Sequence, residues 1–173
     1  MTEVYHQSAD NTDTGQNDWV TPTRLFKNLH RKYRFTLDPC CTAETAKCKQ
    51  FFTAEDNGLI QSWQGHTVFM NPPYGDQAAA WIKKAYEEGQ KPYTRVVVLV
   101  AARTDVKWWH EYVWRARRVF LLEGRVKFLR PPGHPDSGKE SSAGFPSAVV
   151  EFYPGKYHPL FWPMTRHGIP IER

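Results

Sequence analysis

The sequence lacks any long apolar run: nothing in its 173 residues approaches the roughly 20 consecutive apolar residues that span a bilayer as a helix. No membrane span is therefore expected. Cysteine is scarce and odd in number, with Cys40, Cys41 and Cys48 alone. No leader with a charged start, an apolar middle and a small-residue end precedes them, so the expectation is an intracellular, cytoplasmic protein with free thiols, not a disulfide scaffold. Taken as metal ligands with His30 or His66, the thiols fit none of the paired-cysteine zinc spacings, and no metal is expected. There is no internal repeat. What is present is a 40% hydrophobic, 14% aromatic chain of a size to bury one core, with a net charge of +5 and a pI near 9.1. That charge admits a polyanionic partner without requiring one.

The most informative stretch is Thr67-Val68-Phe69-Met70-Asn71-Pro72-Pro73-Tyr74-Gly75, an apolar run of strand character that stops on a double proline. Neither proline has an N–H, and Pro72 pushes Asn71 out of the helical region, so the carbonyls of Asn71 and Pro72 are expected to lack ladder partners. The Asn71 amide oxygen, the Pro72 carbonyl and the face of Tyr74 would make a rigid set of acceptors beside an aromatic plate, a match for a planar, conjugated NH2 group. The plainer alternative is turn punctuation after a buried strand.

Residues 1–16 are too polar to repay the cost of ordering and are expected to form a tail. Thr21 is a fair N-cap and Pro22 suits a first helical position, so a helix is predicted from Pro22 to about Lys32, its N-terminus and the Thr21 hydroxyl available to a carboxylate. Phe35–Asp38 reads as a strand ending on an acid. Gln50–Thr53 reads as another that runs into Glu55, Asp56 and Asn57. Acids beyond strand ends are well placed for an ammonium group and ribose hydroxyls, although Glu55 is equally readable as part of a solvated loop. Asp76 and Asp105 are predicted to cap helices, the first closing at Gly89, and Arg95–Ala101 is predicted to be a central strand covered on both faces. Trp108, Trp109, Tyr112 and Val113 form a stripe read as core. Arg118–Leu122 is a further strand, and Arg125–Leu129 with Phe145–Phe152 are predicted to form an antiparallel hairpin around a long Gly/Pro/Ser-rich loop over 130–144. Alternating strands and helices give an α/β fold with a mostly parallel sheet. A single domain over 17–155 is expected, followed by an aromatic, proline-rich extension over 156–173.

Asp18-Trp19-x-Thr21-Pro22, Leu37-Asp38-Pro39-Cys40, Glu55-Asp56-Asn57-Gly58-Leu59, Asn71-Pro72-Pro73-Tyr74 and Phe145-Pro146-Ser147-Ala148 occur in an order that resembles the phage-type DNA N6-adenine methyltransferases of the Dam-like group. The resemblance implies a Rossmann-like S-adenosylmethionine-dependent methyltransferase fold and a flipped adenine of duplex DNA as acceptor. It implies cofactor contacts from Trp19, Thr21, Pro22, Asp38, Pro39, Cys40, Glu55, Asp56 and Asn57, and a catalytic tetrad of Asn71, Pro72, Pro73 and Tyr74. One departure is the absence of a Gly-rich turn after the first strand, where Cys40-Cys41-Thr42 stands instead. With no large insertion for a recognition domain, specificity is expected in the loops. Arg125, Lys127, Arg130 and Lys139 are expected to meet DNA phosphates. Rival acceptors are RNA adenine and a protein glutamine amide, and the rival outside enzymes is a catalytically silent DNA-binding module.

Overall fold

The computed structural model describes residues 19–171; the tail expected over 1–16 and Asp18 of the first motif lie outside them. Helix α1 (Thr23–Tyr33) leads into β1 (Leu37–Asp38), β2 (Gln50–Phe51) and β3 (Thr67–Met70). Then come α2 (Ala78–Gly89), β4 (Arg95–Ala101), the short α3 (Lys107–Glu111) with a 3-10 turn over Val113–Arg115, and β5 (Arg118–Glu123). The last third holds β6 (Lys127–Leu129), β7 (Glu140–Ser142), β8 (Ser147–Phe152) and β9 (Leu160–Thr165). Seven strands make one sheet in the order β2-β1-β3-β4-β8-β5-β9, parallel throughout except for β8. No helix among the described residues is long and apolar enough to cross a membrane.

Arg95–Ala101 is apolar without alternation because both its faces are covered. Val96, Val98 and Val100 pack with Trp81, Ile82 and Ala85 of α2 and with Trp109 and Val113. Val97 and Leu99 point the other way, onto Leu25, Leu29 and Tyr33 of α1. Trp109 and Val113 are thus core, as the stripe predicts, with Trp108 and Tyr112 half-buried against them.

The hairpin partners differ from expectation. An antiparallel hairpin is present, but β6 pairs with β7, which lies inside the long loop, at Lys127 to Ser142 and Leu129 to Glu140. Strand β8 enters the main sheet between β4 and β5, where all six of its residues are buried. A side-chain pattern cannot separate those pairings, since both place β8 in antiparallel company. The residues beyond 155 also contribute structure: β9 runs parallel to β5 at the sheet edge and buries Met164 in the core.

The predicted caps are not used. Pro22, Gln77 and Val106 occupy the N-cap positions, none with a side-chain cap bond. Thr21 is instead buried, Asp76 is exposed after the turn at Gly75, and Asp105 faces Arg103 at 3.8 Å. Gly89 is the last residue of α2, ahead of a right-handed Gln90, so it is not the left-handed stop expected. It is glycine because a Cβ there would lie 2.5 Å from Phe152 Cβ.

Candidate active site

Strands β1, β3, β4, β5 and β9 all deliver their carboxyl ends, and β8 its amino end, to one edge of the sheet. There a cavity of about 1210 Å³ opens. Trp19, Thr21, Asp38, Pro39, Cys40, Glu55, Asn57, Asn71 and Pro73 line it, so most of the residues singled out from sequence share one space. Pro22, Asp56, Pro72 and Tyr74 are not in its wall.

Asp38 is 3% exposed and ends β1. Its Oδ2 accepts the backbone N–H of Lys47 at 3.0 Å. Burial raises its pKa to about 6, with the Lys47 and Cys40 backbone bonds opposing. The Lys47 ammonium, its pKa lowered by burial, lines the same cavity. Sequence reasoning missed Lys47, because only the return of the chain from β1 to β2 brings it to the acid.

The 55–58 loop reaches the end of β1 through glycine: a Cβ on Gly58 would lie 2.1 Å from the Pro39 carbonyl oxygen. Asn57 holds the turn at φ 51 and accepts from the Leu59 N–H at 3.3 Å. Asp56 is taken up locally, its Oδ2 accepting the Thr53 N–H at 2.8 Å and the Thr53 hydroxyl at 3.0 Å. Exposed Glu55 faces the cavity, accepting the same hydroxyl at 2.7 Å.

Three contacts fix the Asn-Pro-Pro turn. Asn71 Nδ2 donates to the Trp19 carbonyl at 2.7 Å, and the Tyr74 hydroxyl donates to Asn71 Oδ1 at 3.0 Å. Together they orient the amide and leave one lone pair of Oδ1 to spare. The Asn71 backbone carbonyl is occupied, though not by a ladder partner: the Cys40 thiol donates to it at 3.5 Å. Burial pushes the pKa of that thiol up, keeping it a donor. Cys40 thus joins the end of β1 to the end of β3. The Pro72 carbonyl accepts no hydrogen bond among the described residues. Tyr74 is half-buried, with Phe145 at 4.9 Å and Phe128 edge-on at 5.9 Å between ring centroids.

The hairpin loop closes one side of the cavity through Pro131, Pro132, Gly133, His134 and Pro135. Val20 bridges Leu129, and Arg130 lies 4.5 Å over the Trp19 ring, which seats the start of the chain against β6. Of the four expected phosphate contacts, Lys127 is 3.5 Å from Glu140 and Lys139 is 2.6 Å from Asp136, both exposed pairs that compete weakly. Arg125 is exposed on the β5–β6 turn. None of the four lines the cavity.

A parallel sheet with one inserted antiparallel strand, whose carboxyl edge gathers a buried acid and a rigid Asn-Pro-Pro turn around a deep cavity, defines a Rossmann-like methyltransferase. The family model for DNA N-6-adenine-methyltransferase (Dam) matches residues 8–158, and the chain belongs to that family. It is 29% identical over 152 residues to the DNA N-6-adenine-methyltransferase of Haemophilus phage HP1 (strain HP1c1), covering 85% of each chain. It is also 30% identical over 81 residues to the protein YfdM of Escherichia coli (strain K12), which spans 43% of this chain and 89% of that one.

Proposed function

We propose that this protein transfers a methyl group from S-adenosylmethionine to N6 of an adenine flipped out of duplex DNA, with Asn71 at the acceptor and Asp38 at the donor. The observation that carries the reading is that one cavity is lined by both the buried Asp38 carboxylate and the Asn71 amide. The donor's chemistry fits the residues present: Asp38 and Glu55 are complementary to an ammonium and to ribose hydroxyls, and the Lys47 ammonium to a carboxylate. When bound, S-adenosylmethionine supplies an electrophilic methyl on its sulfonium.

The N6 amine is a poor nucleophile because its lone pair is delocalised into the ring. Asn71 Oδ1, through its spare lone pair, and the Pro72 carbonyl each accept one N–H, which favours a pyramidal nitrogen with its lone pair toward the donor. An amide is no base near neutral pH, so the proton leaves to water after transfer. Tyr74, backed by Phe145, stacks the extruded base and offsets part of the few kcal/mol that unstacking costs. Arg125, Lys127, Arg130 and Lys139 hold phosphates around the hairpin. The site of action is the cytoplasm of the cell that holds the DNA. Offering labelled methyl to duplex DNA, RNA and a glutamine peptide in parallel tests the substrate: label in DNA supports the reading, and label in the peptide alone overturns it.

Asp38 makes donor binding pH-dependent. Its folded pKa, about 6, lies above the ordinary 3.8, so in the ligand-free fold its ionised form is disfavoured. The ligand-free protein therefore loses stability as pH rises through that interval, by roughly 3 kcal/mol for a shift of this size. An ammonium held against Asp38 favours the ionised form, so S-adenosylmethionine affinity is expected to rise with pH through about 6 and then level off. Calorimetry across that interval checks this. Asp38→Asn should bind weakly and with a flat profile, and a wild-type profile from the variant would remove Asp38 from the donor site.

Tyr74→Phe is expected to slow transfer several-fold, since the ring stays but the bond that orients the Asn71 amide is lost, a neutral hydrogen bond worth about 1 kcal/mol. From sequence alone only stacking by the ring is invoked and the change would be mild. Single-turnover rates on DNA distinguish the two.

A further inference from the structure

The outward face of α1 carries Arg24, Lys27 and Arg31 at the spacing of one helical stripe, about 10 Å from first to last at the usual rise per residue. All three are exposed, and with Thr23 and Asn28 they line a shallow groove of about 500 Å³. The helix sequence contains no acid, and among the described residues none of the three lies in a salt bridge. Such a stripe is commonly just a solvated face. Here two further features align it with the active site.

The first is its location. Thr21, two residues before α1, lines the cavity, and the Trp19 carbonyl holds Asn71. The helix that carries the stripe therefore starts just beyond the segment that holds Asn71 and lines the cavity. The second is a continuation across the fold. Asn28 Nδ2 donates to the His167 carbonyl at 2.7 Å, and Gly168, at φ 80, packs on Leu25 and Leu29, where a Cβ would lie 2.9 Å from Leu25 Cδ1. That fixes the turn after β9, with Arg166 and His167, against the helix. The pKa of His167 is lowered by partial burial and then by Arg24 and Arg166, with Lys127 adding to the effect and Glu140 opposing it. Arg24 of α1, Arg166 of the turn after β9 and Lys127 of β6 thus all lie near enough to His167 to act on it.

We infer that Arg24, Lys27 and Arg31, continued by Arg166, form a phosphate-binding track along α1 that carries the DNA backbone away from the flipped adenine. The inference rests on the DNA reading above and extends it to residues outside the hairpin. The partner is a polyanion of regularly spaced charge because the track is a row: side chains one helical turn apart meet successive charges, whereas a small anion would need them to converge. The contacts read no base sequence and act on affinity and orientation.

The test is the salt dependence of binding of a labelled mixed-sequence duplex, followed by fluorescence anisotropy, for the full chain. Replacing Arg24, Lys27 and Arg31 together with glutamine should lower the slope of log affinity against log salt by about two to three units, near 0.9 for each phosphate no longer neutralised. Affinity for S-adenosylmethionine should not change. The charge-keeping set Arg24→Lys, Lys27→Arg and Arg31→Lys should retain the wild-type slope. A glutamine variant with the wild-type slope overturns the track while leaving the DNA reading intact. A wild-type protein with no salt-dependent affinity for DNA overturns the DNA reading and the track with it.

Discussion

Replacing Asn71 with alanine is expected to reduce single-turnover methyl transfer to DNA by roughly a hundred- to a thousandfold, the effect of removing one hydrogen bond made to a transition state, by analogy with an oxyanion-hole donor. The amide is held for this by the Trp19 carbonyl on one side and the Tyr74 hydroxyl on the other, so little reorganisation is left for the moment of reaction. S-adenosylmethionine affinity should be nearly unchanged, because the residues assigned to the donor, Asp38, Lys47 and Glu55, sit on β1 and in the loops before and after β2. Loss of donor binding in step with rate would instead mean that Asn71 holds the cavity together. Near-wild-type rates would remove it from the chemistry.

The second large effect concerns stability. Glu151 on β8 puts a carboxyl side chain in the interior, at 1% exposed. Arg95 of β4 lies 3.2 Å away and Arg118 of β5 lies 3.3 Å away, one on each neighbouring strand. The Tyr33 hydroxyl of α1 reaches the same carboxylate at 3.4 Å and has its pKa raised, by burial first and by Glu151 second. The Arg95 contact is an ion pair without hydrogen-bond alignment, since Arg95 Nε has no hydrogen-bond partner among the described residues. Glu151→Ala leaves those arginines half-buried and facing each other, and is expected to cost about 3–5 kcal/mol. That is a large share of the roughly 5–15 kcal/mol of a typical domain. Urea denaturation checks it, with Glu151→Gln expected to cost less because it keeps the shape and an acceptor. A loss well under 1 kcal/mol from alanine would show that β8 is held by its apolar contacts alone.

Glu151 also shows where the sequence was silent. Within Ser-Ala-Val-Val-Glu-Phe it reads as the polar member of an alternating edge or hairpin strand, and only the insertion of β8 between β4 and β5 makes it buried. Strand β4 was legible to the residue because a continuous β-branched run has one common use. Caps were not legible: Thr21, Asp76 and Asp105 have the right chemistry, but Thr21 was drawn into the cavity wall and the aspartates were left to solvent. At the candidate site, Asp38 and Asn71 could be singled out because the first ends β1 and the second directly follows β3, which is a local property. Lys47, the hydroxyl role of Tyr74 and the Cys40 bond to the Asn71 carbonyl depend on separations of 3 to 31 residues closed by the fold or turn. Asp56 looked equivalent to Asp38 by the same local rule, yet its carboxylate is occupied by Thr53.

The most direct measurement is single-turnover transfer of labelled methyl from S-adenosylmethionine to adenine-containing duplex DNA, with the product digested to nucleosides and the labelled base identified. Wild-type protein should place the label on N6-methyladenine, and Asn71→Ala should leave the DNA almost unlabelled at the same time point. Label on cytosine, or equal labelling by the two proteins, would contradict transfer to N6 of adenine at the Asn-Pro-Pro-Tyr turn.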